Sequence, residues 1–426
     1  MRTENRYCQR MPPPRCHLQT GYWPQSETTF KPDEPTAVEG LISLDPGECF
    51  KKIFVLIMEA ITELILQNNT KLNIAITGVS GAGKSTFVNA IRGINDGDEG
   101  AAPTGCNENS KDAIAYFHPN YPNVILWDLP GIGTTKFPAD NYLNHVGLHK
   151  YDFFIIISAT RFRENDIRLA QEIKKMKKKF YFVRSKIDSD LYNEEKSRKS
   201  NFNKEKTLTD IKENCIKGLQ DAGFESPQVF LVSSFKLHEY DFPLLQETFE
   251  TELPEHKRNA LLMTTPITSL EIIAKKKKAF KSKIKYYAAA SAAGAAVPVP
   301  GLSIAVDVSI LIAAITQYVH GFGLDVPTMK RVAERTGVSY DDLLAVIVSP
   351  LAAAEVTSAL VLRVMASLAG TAALMAAKEG SRFIPFIGIP IAMGLSYITT
   401  SRVPSHILNV LAEDSERVFR KAFGSV

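Results

Sequence analysis

Cysteine is scarce in this chain. There are five in 426 residues (Cys8, Cys16, Cys49, Cys106 and Cys215), scattered and odd in number. No two have metal-ligand spacing, so a disulfide scaffold and a zinc module are both excluded, and a reducing compartment is the better reading. An excess of one charge is also lacking. Fifty Lys and Arg against 46 Asp and Glu leave a net +4, too little over this length to point to nucleic acid. No recognised nucleic-acid module stands behind the basic runs, so no nucleic-acid partner is expected. The start, "MRTENRYCQRMPPPRCH", has neither the apolar segment of a secretory signal nor the Met-Gly of a myristoylation site. Long apolar runs exist only in broken form. Ala288 to Val306 carries no charge but holds Pro298 and Pro300, and 383–401 is likewise interrupted by prolines. Paired helices meeting at a Pro-Gly turn suit these stretches better than a membrane span.

What is present divides the chain in four. Residues 1–36 are rich in Pro, Arg, Gln and Thr without periodicity, which predicts a disordered tail. Residues 37–70 form an N-terminal helical segment, with apolar residues at helical spacing from Glu48 to Gln67. Over 71–254 short β-rich runs ("LNIAITG", "NVILWDLPG", "DFFIIIS", "KFYFVRSKID", "QVFLVSS") alternate with segments long enough for crossover helices. That alternation predicts an α/β domain, a mostly parallel sheet covered on both faces. Residues 255–426 are Ala-, Leu- and Ile-rich with helical periods and read as all-α.

The chemistry gathers in the α/β region. "GVSGAGKST", Gly78 to Thr86, fits G-x-x-x-x-G-K-[ST] between a strand and a helix. Gly78, Gly81 and Gly83 let backbone N–H groups wrap phosphates, Lys84 reaches the β- and γ-phosphates, and Ser85 ligates Mg²⁺, with Thr86 beside it. In "LWDLPGIGT", Asp128 ends a strand and Gly131 follows at D-x-x-G spacing. The carboxylate suits a Mg²⁺ ligand and the Gly131 N–H a γ-phosphate sensor. Thr104, in "GDEGAAPTGCNENS", is the natural switch threonine able to close on Mg²⁺. "RSKIDSD" offers Ser185, Lys186 and Asp188 as a partial match to the guanine-reading [NT]-K-x-D. "FLVSS" places Ser233 and Ser234 where a last base-contacting loop belongs. After Gly131 come Ile132, Gly133, Thr134 and Thr135, so no glutamine is at hand to orient the attacking water. Catalysis must borrow a group from elsewhere in the chain or from a partner.

Together "GVSGAGKST", "GAAPTG", "LWDLPGIGT", "YDFFIIISATRF", "FYFVRSKIDSD" and "YDFP" resemble the immunity-related GTPases, the interferon-inducible p47 group of the dynamin-like superfamily. The likeness spans 71 to about 260, and more loosely continues through "PVPGLSIAVDVSIL" and "RFIPFIGIPIAMGLSYITT". It implies a Ras-like GTPase domain embedded in a helical domain drawn from both chain ends. GTP and GDP with Mg²⁺ would be the cofactors. The partners would be a second copy of the chain in the GTP state, related GTPases, and intracellular membranes held peripherally (endoplasmic reticulum, Golgi or a pathogen-containing vacuole). The motif has the GKS form of the effector members. By position, Glu108 matches the proposed catalytic glutamate, and Arg161 a residue implicated in contacts across the GTPase dimer. Ser185 stands where relatives often carry Thr. Two other readings stay open: a low-turnover switch that regulates a protein partner, and a membrane scaffold with vestigial nucleotide binding.

Overall fold

The computed structural model describes residues 71–105, 112–132, 146–160, 164–295, 302–368, 378 and 388–424. The expected tail and N-terminal helical segment, together with Glu108 and Arg161, lie outside the described residues.

The first half folds around one sheet. β1 (Leu72–Gly78) leads through the P-loop into α1 (Lys84–Ile91), followed by β2 (Ile114–His118), β3 (Tyr121–Asp128) and β4 (Phe153–Ser158). Then come α2 (Glu164–Lys175), β5 (Lys179–Arg184), α3 (Ile187–Arg198), α4 (Lys204–Asp221), β6 (Val229–Leu231), α5 (Phe242–Glu252) and α6 (Glu255–Thr264). The sheet order is β2-β3-β1-β4-β5-β6. β1 pairs in parallel with β3 and β4, and β5 in parallel with β4 and β6, as expected for strands that are apolar on both faces. β4, "FFIIIS", is buried at all six positions. One face packs Phe87, Phe153, Phe242, Phe249 and Leu261 into a core, and the other packs Phe154, Phe182, Leu169, Ile173 and Leu219. α6 therefore rests on the sheet through Leu261.

The sequence reading has five strands here; the sheet has six. β2, "IAYFH", is the addition. It runs antiparallel to β3 at the sheet edge, with Ile114 and Phe117 exposed, so its apolar pattern is too thin to read as a buried strand.

The second half is all-α. α7 (Leu270–Ala295) and α8 (Leu302–Gly321) are followed by α9 (Val326–Thr336), α10 (Tyr340–Leu344), α11 (Ser358–Ser367) and α12 (Gly388–Phe423). From Gly388 the second proline-bearing stretch enters α12, one long helix that continues through Pro404 and packs along α7. The core centres on Phe280, Ile315, Tyr318, Leu351, Val361 and Leu411. Inside it, Asp307 forms a buried ion pair with Lys378 and accepts hydrogen bonds from Ser291 and Ser396. A charge buried at that depth requires such partners. Among the described residues one helical stretch, Ile304–Thr336, is apolar and long enough to cross a membrane, yet 44% of its apolar window is buried against the protein.

The halves meet at α6, α7 and α9. Lys276 of α7, 2% exposed, donates from Nζ to the carbonyls of Thr265 (2.7 Å) and Gly321 (2.9 Å). Burial pushes its amine down to about 7, and these carbonyls are what an amine so placed needs.

Candidate functional site

Gly78 ends β1 with φ 140°, a conformation glycine adopts freely, because the chain must leave the sheet against β4. A Cβ there would stand 2.0 Å from the carbonyl oxygen of Ile157. The loop then turns into α1, so its N–H groups and the helix N-terminus converge on one point, the arrangement that binds phosphate. Lys84 is nearly buried and lies back over the loop, with Nζ donating to the Val79 carbonyl at 3.2 Å. Phosphate oxygens arriving at that point would meet an ammonium already in place.

β1 and β3 are paired in parallel, with Ile76 opposite Asp128. This register brings the D-x-x-G segment beneath the P-loop. Ser85 Oγ donates to Asp128 Oδ2 at 2.5 Å, and the Asp128 carboxylate is 1% exposed. A hydroxyl and a carboxylate side by side are hard oxygen donors of the kind Mg²⁺ takes. Gly131 is buried against the loop, and a Cβ on it would meet the backbone N of Ser80 at 2.8 Å. Ile132 N donates to the Gly78 carbonyl at 3.2 Å and forms a bridge with Val79. The two motifs, about fifty residues apart in sequence, thus form one surface.

The base loop is stitched to the same surface. Ser185 Oγ donates to the Ala82 carbonyl at 2.7 Å, and Lys186 Nζ to the Gly81 carbonyl at 2.9 Å. The small hydroxyl at the first position of the motif therefore holds the loop against the P-loop, a job Ser does as well as Thr. Lys186 takes a left-handed backbone (φ 59°), uncommon for a residue with a side chain and a form of local strain found at binding sites. Asp188 is half-buried in the first turn of α3. Burial raises the carboxyl of the neighbouring Asp190 above its ordinary value, opposed by Arg184 and reinforced by the negative charge of Asp188. Ser233, fully buried after β6, has an Oγ with no hydrogen-bond partner among the described residues, while Ser234 is half-buried. Thr104 is exposed on its loop, and Thr86 sits half-buried in the first turn of α1.

Two contributors carry no sequence signal. Arg184, 6% exposed, pairs with Asp190 at 2.5 Å and donates to the Ser185 carbonyl at 3.0 Å, so it braces the base loop from behind. Asn89 on α1 is the other, its amide bonded to both sides of the Ala102 backbone. Neither stands in a recognisable motif, because each acts on backbone that the fold brings near.

The interferon-inducible GTPase (IIGP) family model matches residues 46–422. The chain belongs to this family. It is a GTPase of the interferon-inducible type. Interferon-inducible GTPase 5 of Rattus norvegicus is 41% identical over 359 residues, spanning 84% of this chain and 77% of the relative. Interferon-gamma-inducible GTPase 10 of Mus musculus is 38% identical over 373 residues, spanning 87% of this chain and 85% of the relative. Among solved structures, an oligomerised bacterial dynamin pair aligns at a TM-score of 0.30 and 12% identity, over 90% of this chain and 76% of that chain. At that distance the alignment carries no argument, and the fold assignment stands on the sheet order and the P-loop.

Proposed function

We propose that the chain hydrolyses GTP with Mg²⁺, that hydrolysis is completed when two copies associate through their GTPase domains, and that in this state it acts on intracellular membranes, notably vacuoles holding pathogens. The observation that carries the reading is the Ser85–Asp128 hydrogen bond at 2.5 Å under a P-loop that Gly131 touches. Ser85, Asp128 and Thr104 would hold Mg²⁺, which when bound neutralises charge on the β- and γ-phosphate oxygens. Lys84 and the loop N–H groups bind and orient the phosphates. Asp188 accepts from the guanine ring, with the Lys186 stem over its face. Ser233 and Ser234 close the base loop.

The segment Ile132-Gly133-Thr134-Thr135 holds no glutamine, so the water-orienting group must come from Glu108 or from a second copy, with Arg161 at the dimer contact. The same gap favours a low-turnover switch as the second reading. For membrane contact, the run Lys174–Lys179 is poorly placed: Lys174, Lys178 and Lys179 are bound to Gly223, Tyr151 and Glu252. Lys278, Lys281 and Lys285 are better placed, exposed at helical spacing on α7. Near an anionic leaflet each such lysine contributes about 1 kcal/mol.

GTP turnover per molecule, measured against protein concentration, tests the proposal. Specific activity is expected to rise with concentration, and Glu108→Ala and Arg161→Ala are each expected to flatten that rise. A flat, near-zero rate with GTP still bound would replace the proposal with the switch.

A further inference from the structure

The loop that carries Thr104 is clamped at both ends. Asn89 of α1, 1% exposed, uses its whole amide on it. Nδ2 donates to the Ala102 carbonyl at 2.9 Å, and Oδ1 accepts from Ala102 N at 2.7 Å. Nδ2 also donates to Asp96 Oδ1 at 2.7 Å. Thus a side chain of the helix that begins at Lys84 holds the peptide two residues before Thr104. Arg92, the residue that caps the C-terminus of the same helix, donates to the Gly100 carbonyl at 2.9 Å.

The other end of the loop is held by the helical domain. Arg335 of α9 donates from Nη2 to the Ile94 carbonyl and from Nε to Asn95 Oδ1, both at 2.9 Å. Asn95 Nδ2 returns a hydrogen bond to Glu334 at 2.8 Å. Behind this strut lies a cavity of about 640 Å³ lined in part by Arg92, Ile94, Arg331 and Arg335.

We propose that Asn89 and Arg335 are positioning residues for GTP hydrolysis. Asn89 sets the approach of Thr104 to the γ-phosphate, and Arg335 makes that approach depend on where the helical domain sits. Nucleotide state and helical-domain position are then read through one loop, from residue 94 to 104, by a coupling that works in both directions. The inference rests on the role assigned to Thr104 in the proposed function.

The test compares affinity for GDP with affinity for a non-hydrolysable GTP analogue in the full chain with Mg²⁺. Thr104 closes on Mg²⁺ only when the γ-phosphate is present, so loss of the clamp should be selective. Asn89→Ala is expected to weaken the triphosphate about tenfold and GDP less than about twofold, the scale expected when two buried hydrogen bonds are removed. Arg335→Ala, at an exposed position of α9, should weaken the triphosphate about threefold, with Arg335→Lys recovering part of the loss. Asn95→Ala combined with Arg335→Ala should add little, because both changes cut the same strut. Parallel weakening of GDP and triphosphate would show a merely structural role and overturn the proposal, as would no change in either. Thr104→Ala separates the two claims. If it is selective for the triphosphate while Asn89→Ala and Arg335→Ala are not, the clamp alone is wrong; if it is not selective, the Thr104 role and the clamp fall together.

Discussion

Lys84→Ala is expected to raise the dissociation constant for GTP by about two to three orders of magnitude, with the protein still folded. Truncating one member of a buried, hydrogen-bonded charge pair costs about 2–5 kcal/mol, and each 1.4 kcal/mol is tenfold in affinity. The middle of that range, about 3–4 kcal/mol, applies because Lys84 is nearly buried at the start of α1 and bears the ammonium assigned to the β- and γ-phosphates. Its Nζ donates to the Val79 carbonyl at 3.2 Å, a contact the substitution also removes. Calorimetric titration with GDP and with a GTP analogue measures the effect, and circular dichroism checks the fold. Binding within about tenfold of wild type would mean that the phosphates sit elsewhere.

Gly78→Ala should be the most damaging single methyl group among the described glycines of the GTPase domain. The added Cβ would stand 2.0 Å from the Ile157 carbonyl oxygen of the neighbouring strand, and the backbone there has φ 140°. Neither partner is a flexible side chain; β1 and β4 would have to part. Overpacking of this kind costs about 1–3 kcal/mol and the strained backbone a similar amount, giving roughly 4 kcal/mol in all. In a domain of this size that lowers the melting temperature by about 10 °C. Differential scanning calorimetry of the variant reads it directly. Gly131→Ala makes a useful contrast. Its Cβ would meet Ser80 at 2.8 Å, which deforms the phosphate loop more than the sheet and should weaken nucleotide binding more than it lowers stability.

Much of this architecture can be read from the residues. The five parallel strands announce themselves because both of their faces are buried, as β4 shows with six buried positions in six. β2 escapes such a reading: at an antiparallel edge with two exposed apolar side chains, its pattern matches a loop as well as a strand. At the site, the P-loop, the D-x-x-G segment and the base loop are legible because each needs fixed residue types at fixed spacing. What is not legible is how they are joined. Ser185 reaching the Ala82 carbonyl, Arg184 bracing the base loop, and Asn89 gripping Ala102 are all side chains acting on backbone brought close by folding. Such contacts set no sequence period. The strut from Arg335 to Ile94 crosses 241 residues and joins two domains, so no local pattern could carry it.

Guanine specificity is tested by a competition titration of the full chain with GTP analogue and ATP analogue, alongside Asp188→Asn. Wild type is expected to prefer the guanine nucleotide by at least about a thousandfold, since a site built to hydrogen-bond a base leaves buried groups unpaired with the wrong one. Asp188→Asn should lose most of that preference, because an amide cannot accept from both guanine donors. Equal affinity for the two nucleotides in the wild type, or full preference retained by Asp188→Asn, would mean that the base is not read at this loop.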